Sequence, residues 1–382
     1  MIERTIGLAD ATRLGARRRL TVDVQRADLL PTAEPLRLID PAGQPVPCAD
    51  FKPPPDEVLR ELYRRMIIGR RFDAQATALT KQGRLAVYPS SHGQDACQVA
   101  ATLALRRQDW LFPTYRDSVA LITRGIDPVE ALTLLRGDWH CGYDPYASRV
   151  APQCTPLATS ALHAVGLAHA ARLKGEDTVA LAMLGDGATS EGDAHEALNF
   201  AAVWRAPVVF LIQNNGYAIS VPLAKQTAAP SLAHKGVGYG MRSRLIDGND
   251  AAVVYATVRE AIEDAATAQG PTLIEAVTYR IEPHTNADDA ARYRSADEVD
   301  AWQARDPISR LEQFLASHGL LDDGDRSAVA AEAERFTDTM RERMSVDSDL
   351  DPADLFRHVY AEPTAALRAQ HRALSATLEI ER

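Results

Sequence analysis

The fold is decided by the stretch LGDGATSEGD, residues 184–193, which begins at the end of a short apolar run and leads into a helical pattern. In an open parallel sheet, ligands bind at the carboxyl ends of the strands, where helix N-termini point inward. Gly185 and Gly187 let the backbone approach a bound group, and the N–H groups that begin a helix favour a phosphate. Asp186, between the glycines, is a hard oxygen ligand. The alternative is structural, because Ser190 and Asp193 have capping-box spacing and Gly-Asp-Gly is common in turns.

A second polar strand end follows at residues 210–217, FLIQNNGY. The 26 residues from Ala188 to Gln213 are enough for one helix and one strand. Neighbouring strand ends then bring Asp186 and Asn215 together. A carboxylate, an amide oxygen and a backbone carbonyl suit Mg²⁺. Phosphate and water oxygens usually complete its coordination shell. Asn-Asn-Gly is also a common turn sequence, so the spacing rather than the tripeptide favours a metal site.

Apolar runs alternate with helical patterns through the centre of the chain. The predicted strands are Thr178–Leu184, Val208–Gln213 and Thr272–Tyr279, and the predicted helices between and after them are Asp193–Trp204 and Ala251–Ala266. Nearly continuous apolar strands separated by helices are typical of a parallel sheet covered on both faces. The sequence therefore predicts an α/β fold with a doubly wound, mostly parallel sheet.

The chain divides into three predicted regions. Residues 1–55 form an N-terminal arm that ends in three consecutive prolines, and residues 56–306 form the α/β domain, which opens with an amphipathic helix over 57–70. Residues 307–382 carry helical, charged patterns and form a helical C-terminal region packed on the same domain. Its predicted helices are Ile308–Ser317, Arg326–Met344 and Pro363–Leu378.

Composition excludes several functions. With 42 basic and 52 acidic residues the formal net charge is -10, which argues against a nucleic-acid surface. No apolar run approaches the roughly 20 residues that cross a bilayer, so we expect no membrane partner and a cytoplasmic protein. The four cysteines, Cys48, Cys97, Cys141 and Cys154, lack zinc or dithiol spacing and are predicted to be reduced.

Other cofactor motifs fail on spacing. Residues 236–240, GVGYG, are not followed by a third glycine at dinucleotide spacing, and no phosphate-loop Gly-Lys-Ser/Thr occurs. His195-Glu196 lacks the second histidine of a zinc-peptidase helix.

The Gly-Asp-Gly followed by Asn-Asn resembles the thiamin-diphosphate motif. The run from Gly185 to Ser220 resembles α subunits of bacterial branched-chain 2-oxo acid dehydrogenases, and the similarity extends from about residue 58 to about 370. It includes Tyr115-Arg116, residues 155–159 and residues 279–295. The resemblance implies the thiamin-diphosphate-binding fold for the α/β domain.

The resemblance also implies a set of site residues. Asp186, the Asn215 side chain and the Tyr217 carbonyl are expected to hold Mg²⁺ on the cofactor diphosphate. The expected contacts of thiamin diphosphate are Tyr115, Arg116, Thr155, Leu157, Gly185, Gly187, Ala188, Gln213 and His284. His284 is the expected catalytic histidine. Gln213 stands where some relatives have an arginine, so it is expected to hold the diphosphate less strongly.

A potassium ion is a further expectation carried over from relatives. They place this ion around the positions of Cys154, Thr159 and Ser160. Ser160 replaces the usual glutamine, which weakens the case for the ion. Thr285 stands where eukaryotic relatives carry a phosphorylated serine, and nothing in the sequence shows that it is modified.

The implied activity is oxidative decarboxylation of a branched-chain 2-oxo acid, with transfer of the acyl group to a lipoyl group. In the family, the glutamate that activates the cofactor belongs to a β subunit, so the expected assembly is an α₂β₂ heterotetramer that feeds a lipoyl-bearing dihydrolipoyl acyltransferase. A pyruvate or acetoin dehydrogenase α subunit remains an alternative, because the sequence does not give the size of the substrate pocket. A non-catalytic scaffold subunit is a third reading.

Overall fold

The computed structural model describes residues 29–346 and 350–380, so residues 1–28 of the expected arm lie outside the described part. The described residues form a five-stranded parallel sheet in the order β1-β2-β3-β7-β6. Its strands are β1 (Trp110–Phe112), β2 (Ala180–Gly185), β3 (Val208–Asn214), β6 (Arg242–Asp247) and β7 (Thr272–Val277). A small antiparallel hairpin, β4 (Tyr217–Ala218) and β5 (Val221–Pro222), follows β3. The predicted doubly wound α/β fold is confirmed.

Helices cover both faces of the sheet. They are α1 (Asp56–Lys81), α2 (Asp95–Ala104), α3 (Ser118–Arg124), α4 (Pro128–Ala131), α5 (Thr133–Arg136), α6 (Pro145–Ser148), α7 (Thr159–Lys174), α8 (Gly192–Trp204), α9 (His234–Gly238), α10 (Ala251–Ala266), α11 (Ala296–Gln303), α12 (Pro307–Ser317), α13 (Asp323–Met344), α14 (Asp354–Arg357) and α15 (Ala365–Ile380). Alternate residues of β2 enter two separate cores: Leu181 and Met183 face one, and Ala180, Ala182 and Leu184 face the other.

Strong apolar periodicity predicted the central elements well. Helix α10 has the predicted bounds, while α1 continues 11 residues beyond the predicted end at residue 70. Strands β1 and β6 were missed for physical reasons. β1 has three residues, and β6 carries Arg242 and Arg244, which form ion pairs with Asp264 and Glu260 beside the sheet.

The strand register sets the site. Gly185 at the end of β2 pairs with Gln213 of β3, and Asn214 pairs with Val277 of β7. Because parallel strands end at the same edge, the residues that follow β2 and β3 must lie side by side. The sheet thus delivers Asp186 and Asn215 to neighbouring positions.

Part of the N-terminal arm joins the packed body. Leu36 bridges Ile246 of β6, while Leu38 and Ile39 are buried in the larger core. The backbone amides of Leu38 and Ile39 donate to Asp250 Oδ2 at 2.6 and 2.8 Å. Residues 36–39 therefore extend the edge of the sheet beyond β6.

The C-terminal region packs on the domain through α13. Arg64 and Arg71 of α1 donate from Nε to Glu332 and Glu334 of α13, each at 2.7 Å. No helix in the described residues is both long and apolar enough to cross a membrane. The four cysteines are all free, as predicted.

Arg310 links the arm, the sheet and α12. Its side chain is 2% exposed, and its guanidinium donates to the Ile39 carbonyl and, at 3.0 Å, to Asp247 Oδ2. Replacing Arg310 with methionine removes the cation beside the half-buried carboxylate of Asp247 and the fully buried carboxylate of Asp250, which we expect to lower the free energy of unfolding by roughly 3–5 kcal/mol. Urea unfolding of the full chain measures this loss. Arg259→Met, which removes an exposed pair with Glu263, is the control and should leave the urea midpoint unchanged.

Candidate active site

A cavity of about 520 Å³ opens at the carboxyl ends of β2 and β3. Most of the residues predicted from the sequence line it. They are Tyr115, Arg116, Cys154, Leu157, Ser160, Gly185, Asp186, Gly187, Ala188, Gln213, Asn215, Tyr217 and His284. The cavity lies at the edge of the sheet where a doubly wound fold is expected to bind its ligand.

Asp186 and Asn215 meet at the base of the cavity. Asp186 is 1% exposed, its carboxylate accepts from Gln226 Nε2 at 2.6 Å, and the nearby Asn215 backbone N–H helps to stabilise its charged form. Burial raises the pKa of Asp186 above its ordinary value, because the charged form loses its hydration. A bound cation would oppose that shift.

The oxygen atoms present here fit a Mg²⁺ ion. Asn215 Oδ1 accepts from the Tyr217 backbone N–H at 3.2 Å, so this oxygen lies on the hairpin side with the Tyr217 backbone. Gln226 Oε1 is buried and has no hydrogen-bond partner among the described residues. In the described part of the chain, no cluster of three or more His, Cys, Asp or Glu side chains could hold a metal. One carboxylate with amide and carbonyl oxygens suits a hard cation that also binds phosphate and water.

Gly187 must be a glycine for steric reasons. A Cβ at this position would lie 2.7 Å from the Cβ of Ala218 in β4. The turn after β2 and the hairpin after β3 therefore approach each other more closely than a side chain would allow.

The capping-box reading of this segment is wrong, because neither the 3₁₀ turn at Gly187–Ser190 nor α8 has a side-chain cap. Asp193 instead accepts from the Thr159 hydroxyl at 2.9 Å.

His284 is neutral. Its Nδ1 lies 3.0 Å from Arg116 Nη2 and 3.4 Å from Arg280 Nη1. Both guanidinium groups can only donate, so Nδ1 accepts and the ring proton resides on Nε2. Burial and the two positive charges lower the pKa of His284 to about 4. The ring is thus a hydrogen-bond donor through Nε2 at neutral pH.

Arg116 and Arg280 are held in place by backbone oxygens. Arg116 Nη1 donates to the Ser90 carbonyl at 3.0 Å, and Arg280 Nη2 donates to the Ile219 carbonyl at 2.6 Å. Arg280 Nε is buried without a partner among the described residues. The two guanidinium groups make this side of the cavity electropositive, which favours a diphosphate. Tyr115 packs edge-on against His284, with ring centroids 6.1 Å apart.

The loop around His284 is ordered by its own polar contacts. Asp288 Oδ2 accepts from the His284 backbone N–H at 2.8 Å and from the Tyr293 hydroxyl. Tyr293 in turn accepts from Arg280 Nη2 at 2.9 Å. Thr285 is partly exposed, and its hydroxyl accepts from the Ala287 N–H at 3.4 Å.

Two predicted residues do not line the cavity, and a third lines it but has other contacts than expected. Thr155 and Thr159 do not line the cavity, and Thr155 is exposed. Gln213 does line it, but its amide is occupied on both sides: Nε2 donates to Asp117 and Oε1 accepts from Gln94. Of the three residues suggested for potassium, Cys154 and Ser160 line the cavity.

The mouth of the cavity has an apolar rim, formed by Leu157, Ile219 and Val221. These side chains are 41%, 57% and 42% exposed. Ile219 has a φ of 55°, in the left-handed region that β-branched residues avoid. Its carbonyl is the one that Arg280 binds.

Sequence reasoning missed Gln94, Gln226 and Arg280. Gln226 follows a 3₁₀ turn after β5, and no motif or spacing marked it. Arg280 adjoins the recognised segment 279–295, but a single arginine after a strand carries no distinctive signal. Gln94 lies before α2, far from the strand ends in sequence.

Comparison with known proteins identifies the family of the chain. The family model described as "Dehydrogenase E1 component" matches residues 63–345. The chain belongs to the dehydrogenase E1 component family. This E1 family depends on thiamin diphosphate.

Two relatives of the E1 chain are informative. The 3-methyl-2-oxobutanoate dehydrogenase subunit alpha of Mycobacterium tuberculosis (strain H37Rv) is 47% identical over 346 residues, which are 90% of this chain and 94% of the relative. The pyruvate dehydrogenase E1 component subunit alpha of Staphylococcus aureus (strain Mu50) is 41% identical over 280 residues, covering 73% of this chain and 75% of the relative.

We expect His284 of the full chain without cofactor to titrate with a pKa of about 4 and to carry its proton on Nε2 above that pH. Arg116→Gln removes a nearby positive charge, so the pKa should rise toward the ordinary histidine value of about 6.5. NMR of ¹⁵N-labelled histidine measures both the pKa and the tautomer. Arg149→Gln, at an arginine that stacks on Trp110 outside the cavity, should leave the His284 titration unchanged. A His284 pKa near 6.5 in the unmodified protein would contradict the geometry.

Proposed function

We propose that this chain is the α subunit of a 2-oxo acid dehydrogenase that oxidatively decarboxylates a branched-chain 2-oxo acid. The acyl group passes to the lipoyl group of a dihydrolipoyl acyltransferase. The observation that carries the proposal is that the buried Asp186 and Asn215 line the same cavity as the guanidinium groups of Arg116 and Arg280. The E1 family and the printed name of the M. tuberculosis relative support the reaction class.

Mg²⁺ and thiamin diphosphate would share the base of this cavity. Asp186, Asn215 Oδ1 and the Tyr217 carbonyl would hold the cation. Arg116 and His284 would contact the diphosphate, and Gly187 would let the backbone approach it. When bound, thiamin diphosphate supplies a nucleophilic carbon and an electron sink for decarboxylation.

The chain's own residues bind, orient and exclude water. Arg116 is 5% exposed and tied to Ser90, so it presents its charge without reorganisation. His284 donates from Nε2 into the cavity, toward an oxygen of the cofactor or the substrate. Leu157 lies at the mouth, where it would support the cofactor from the apolar side.

A β partner would complete the site. In the described residues, the carboxylates that line the cavity are Asp186 and Glu191. Asp186 is assigned to the cation, and Glu191 is exposed. The carboxylate that activates the cofactor must then come from elsewhere, as the family resemblance implies. An α₂β₂ assembly would also cover the exposed rim of Leu157, Ile219 and Val221.

We expect Asp186→Ala to abolish Mg²⁺-dependent binding of thiamin diphosphate without unfolding the domain, because the change removes the carboxylate that faces the cation. Calorimetric titration of the full chain, purified with its β partner, measures the binding. Asp193→Ala is the matched control, since it removes a carboxylate from the same segment that bonds Thr159 and does not line the cavity. Tight binding by the Asp186 variant would remove this residue from the metal site.

The second candidate is a pyruvate dehydrogenase α subunit, favoured by the S. aureus relative. A panel of pyruvate against 3-methyl-2-oxobutanoate, with the β partner and an artificial electron acceptor, separates the two. We expect a higher kcat/KM for the branched substrate. One added methylene group in an apolar pocket changes kcat/KM by about 10- to 200-fold, and the branched substrate has two more carbons than pyruvate. A preference for pyruvate would reassign the substrate. Turnover by the chain without its partner would contradict the proposal that a β subunit completes the active site.

A further inference from the structure

Four buried side chains form a continuous line of hydrogen bonds beside the proposed cation site. Gln213 Nε2 donates to Asp117 Oδ1 at 2.7 Å, Gln94 Nε2 donates to Gln213 Oε1 at 2.9 Å, and Asn215 Nδ2 donates to Gln94 Oε1 at 2.9 Å. Their exposed fractions are 0% for Asp117, 1% for Gln213, 2% for Gln94 and 5% for Asn215. The line joins the start of α3, the end of β3 and the start of α2.

Hydrogen-bond donation runs in one direction along this line, toward Asp117, and Asp117 sets that direction. An amide can turn over and exchange its donor and acceptor ends, whereas an ionised carboxylate only accepts. Burial raises the pKa of Asp117, but Oδ2 accepts from the Thr114 backbone N–H and hydroxyl and Oδ1 accepts from Gln213, each at 2.7 Å, and these three donors oppose the rise by bonding to the ionised form. Gln213 must therefore present its nitrogen to Asp117.

Each later amide follows from the one before it. Gln213 has its oxygen on the far side, so Gln94 must present nitrogen to Gln213 and oxygen to Asn215. Asn215 then has its nitrogen on Gln94 and its oxygen on the Tyr217 side. A reversed Asn215 would direct its N–H donors, rather than its oxygen, at a cation.

We propose that Asp117, Gln213 and Gln94 form an amide relay that fixes the oxygen of Asn215 toward the cation. The inference rests on the proposed function, because it assumes that Asn215 Oδ1 is a metal ligand. The relay members act through Asn215 and are positioning residues. Gln213 thereby acquires a role different from the direct diphosphate contact expected from the sequence.

The relay can be reversed by one isosteric change. In Asp117→Asn, the amide oxygen stays on the Thr114 donors, so the new Nδ2 meets Gln213 Nε2. Turning over the following amides relieves that contact only by setting Asn215 Nδ2 against the Tyr217 N–H. We expect Mn²⁺ to bind about 10- to 100-fold more weakly, the usual loss when a residue that orients a metal ligand is changed. EPR detection of free Mn²⁺ measures the affinity, with thiamin diphosphate present and the full chain purified with its β partner.

A second change should restore the direction. In the double variant Asp117→Asn with Gln213→Glu, the new amide at position 117 donates to the new carboxylate at position 213. That carboxylate still accepts from Gln94, so Asn215 is oriented as in the unmodified chain. We expect Mn²⁺ affinity within about threefold of the original, which is under 1 kcal/mol. A packing role alone predicts no such rescue.

Glu275→Gln is the matched control. It neutralises another buried carboxylate, which binds Asn214 Nδ2 at 2.7 Å on the opposite face of β3. Its Mn²⁺ affinity should not change. If Asp117→Asn does not fold, the double variant still decides, since rescue of folding without Mn²⁺ binding overturns the relay.

The outcomes distinguish the relay from the function beneath it. Unchanged affinity in Asp117→Asn, or failure of the folded double variant to bind, overturns the relay and leaves the proposed function standing. If the unmodified complex binds no Mn²⁺ with thiamin diphosphate, the proposed function fails first.

Discussion

The parallel pairing of β2 with β3 is the constraint on which the rest of the site depends. Its register places Gly185 beside Gln213, so the next residues of both strands leave the sheet at the same level. The Asn215 backbone N–H then lies close enough to Asp186 to stabilise the charged form of its carboxyl. A slip of one residue would turn every side chain of one strand to the other face. The two apolar cores hold the strand register, and the positions of the polar site residues depend on that register.

The electrostatics of the cavity follow from burial rather than from net charge. The chain is acidic, with a formal charge of -10, yet Arg116 and Arg280 face the same cavity. Asp186 lines the same cavity and is buried away from water. His284 cannot share the positive charge, since the neighbouring guanidinium groups keep it neutral. A bound cation would neutralise the buried carboxylate of Asp186, and a diphosphate would neutralise the two arginines. Binding both together would therefore compensate the buried charges of the cavity.

The sequence predicted those parts of the site that follow from strand order. Asp186 and Asn215 were placed together from one crossover length, and the structure brings them together. Gln94, Gln226 and Arg280 were not predictable in this way, because their positions depend on how loops and α2 pack across the sheet. Strand β6 was missed for a related reason. Its arginines look exposed in sequence, while in the fold they pair with acids beside the sheet.

Ile219 connects the apolar rim to the cation site. A non-glycine residue in the left-handed region costs about 1–3 kcal/mol, and surrounding contacts must outweigh that cost. Arg280 supplies one of them at the Ile219 carbonyl, and the same guanidinium lies 3.5 Å from the carbonyl of Tyr217. A single side chain therefore holds both the start of this short hairpin, at Tyr217, and its turn, at Ile219. The position of the apolar rim and the position of the Tyr217 carbonyl thus depend on the same guanidinium group.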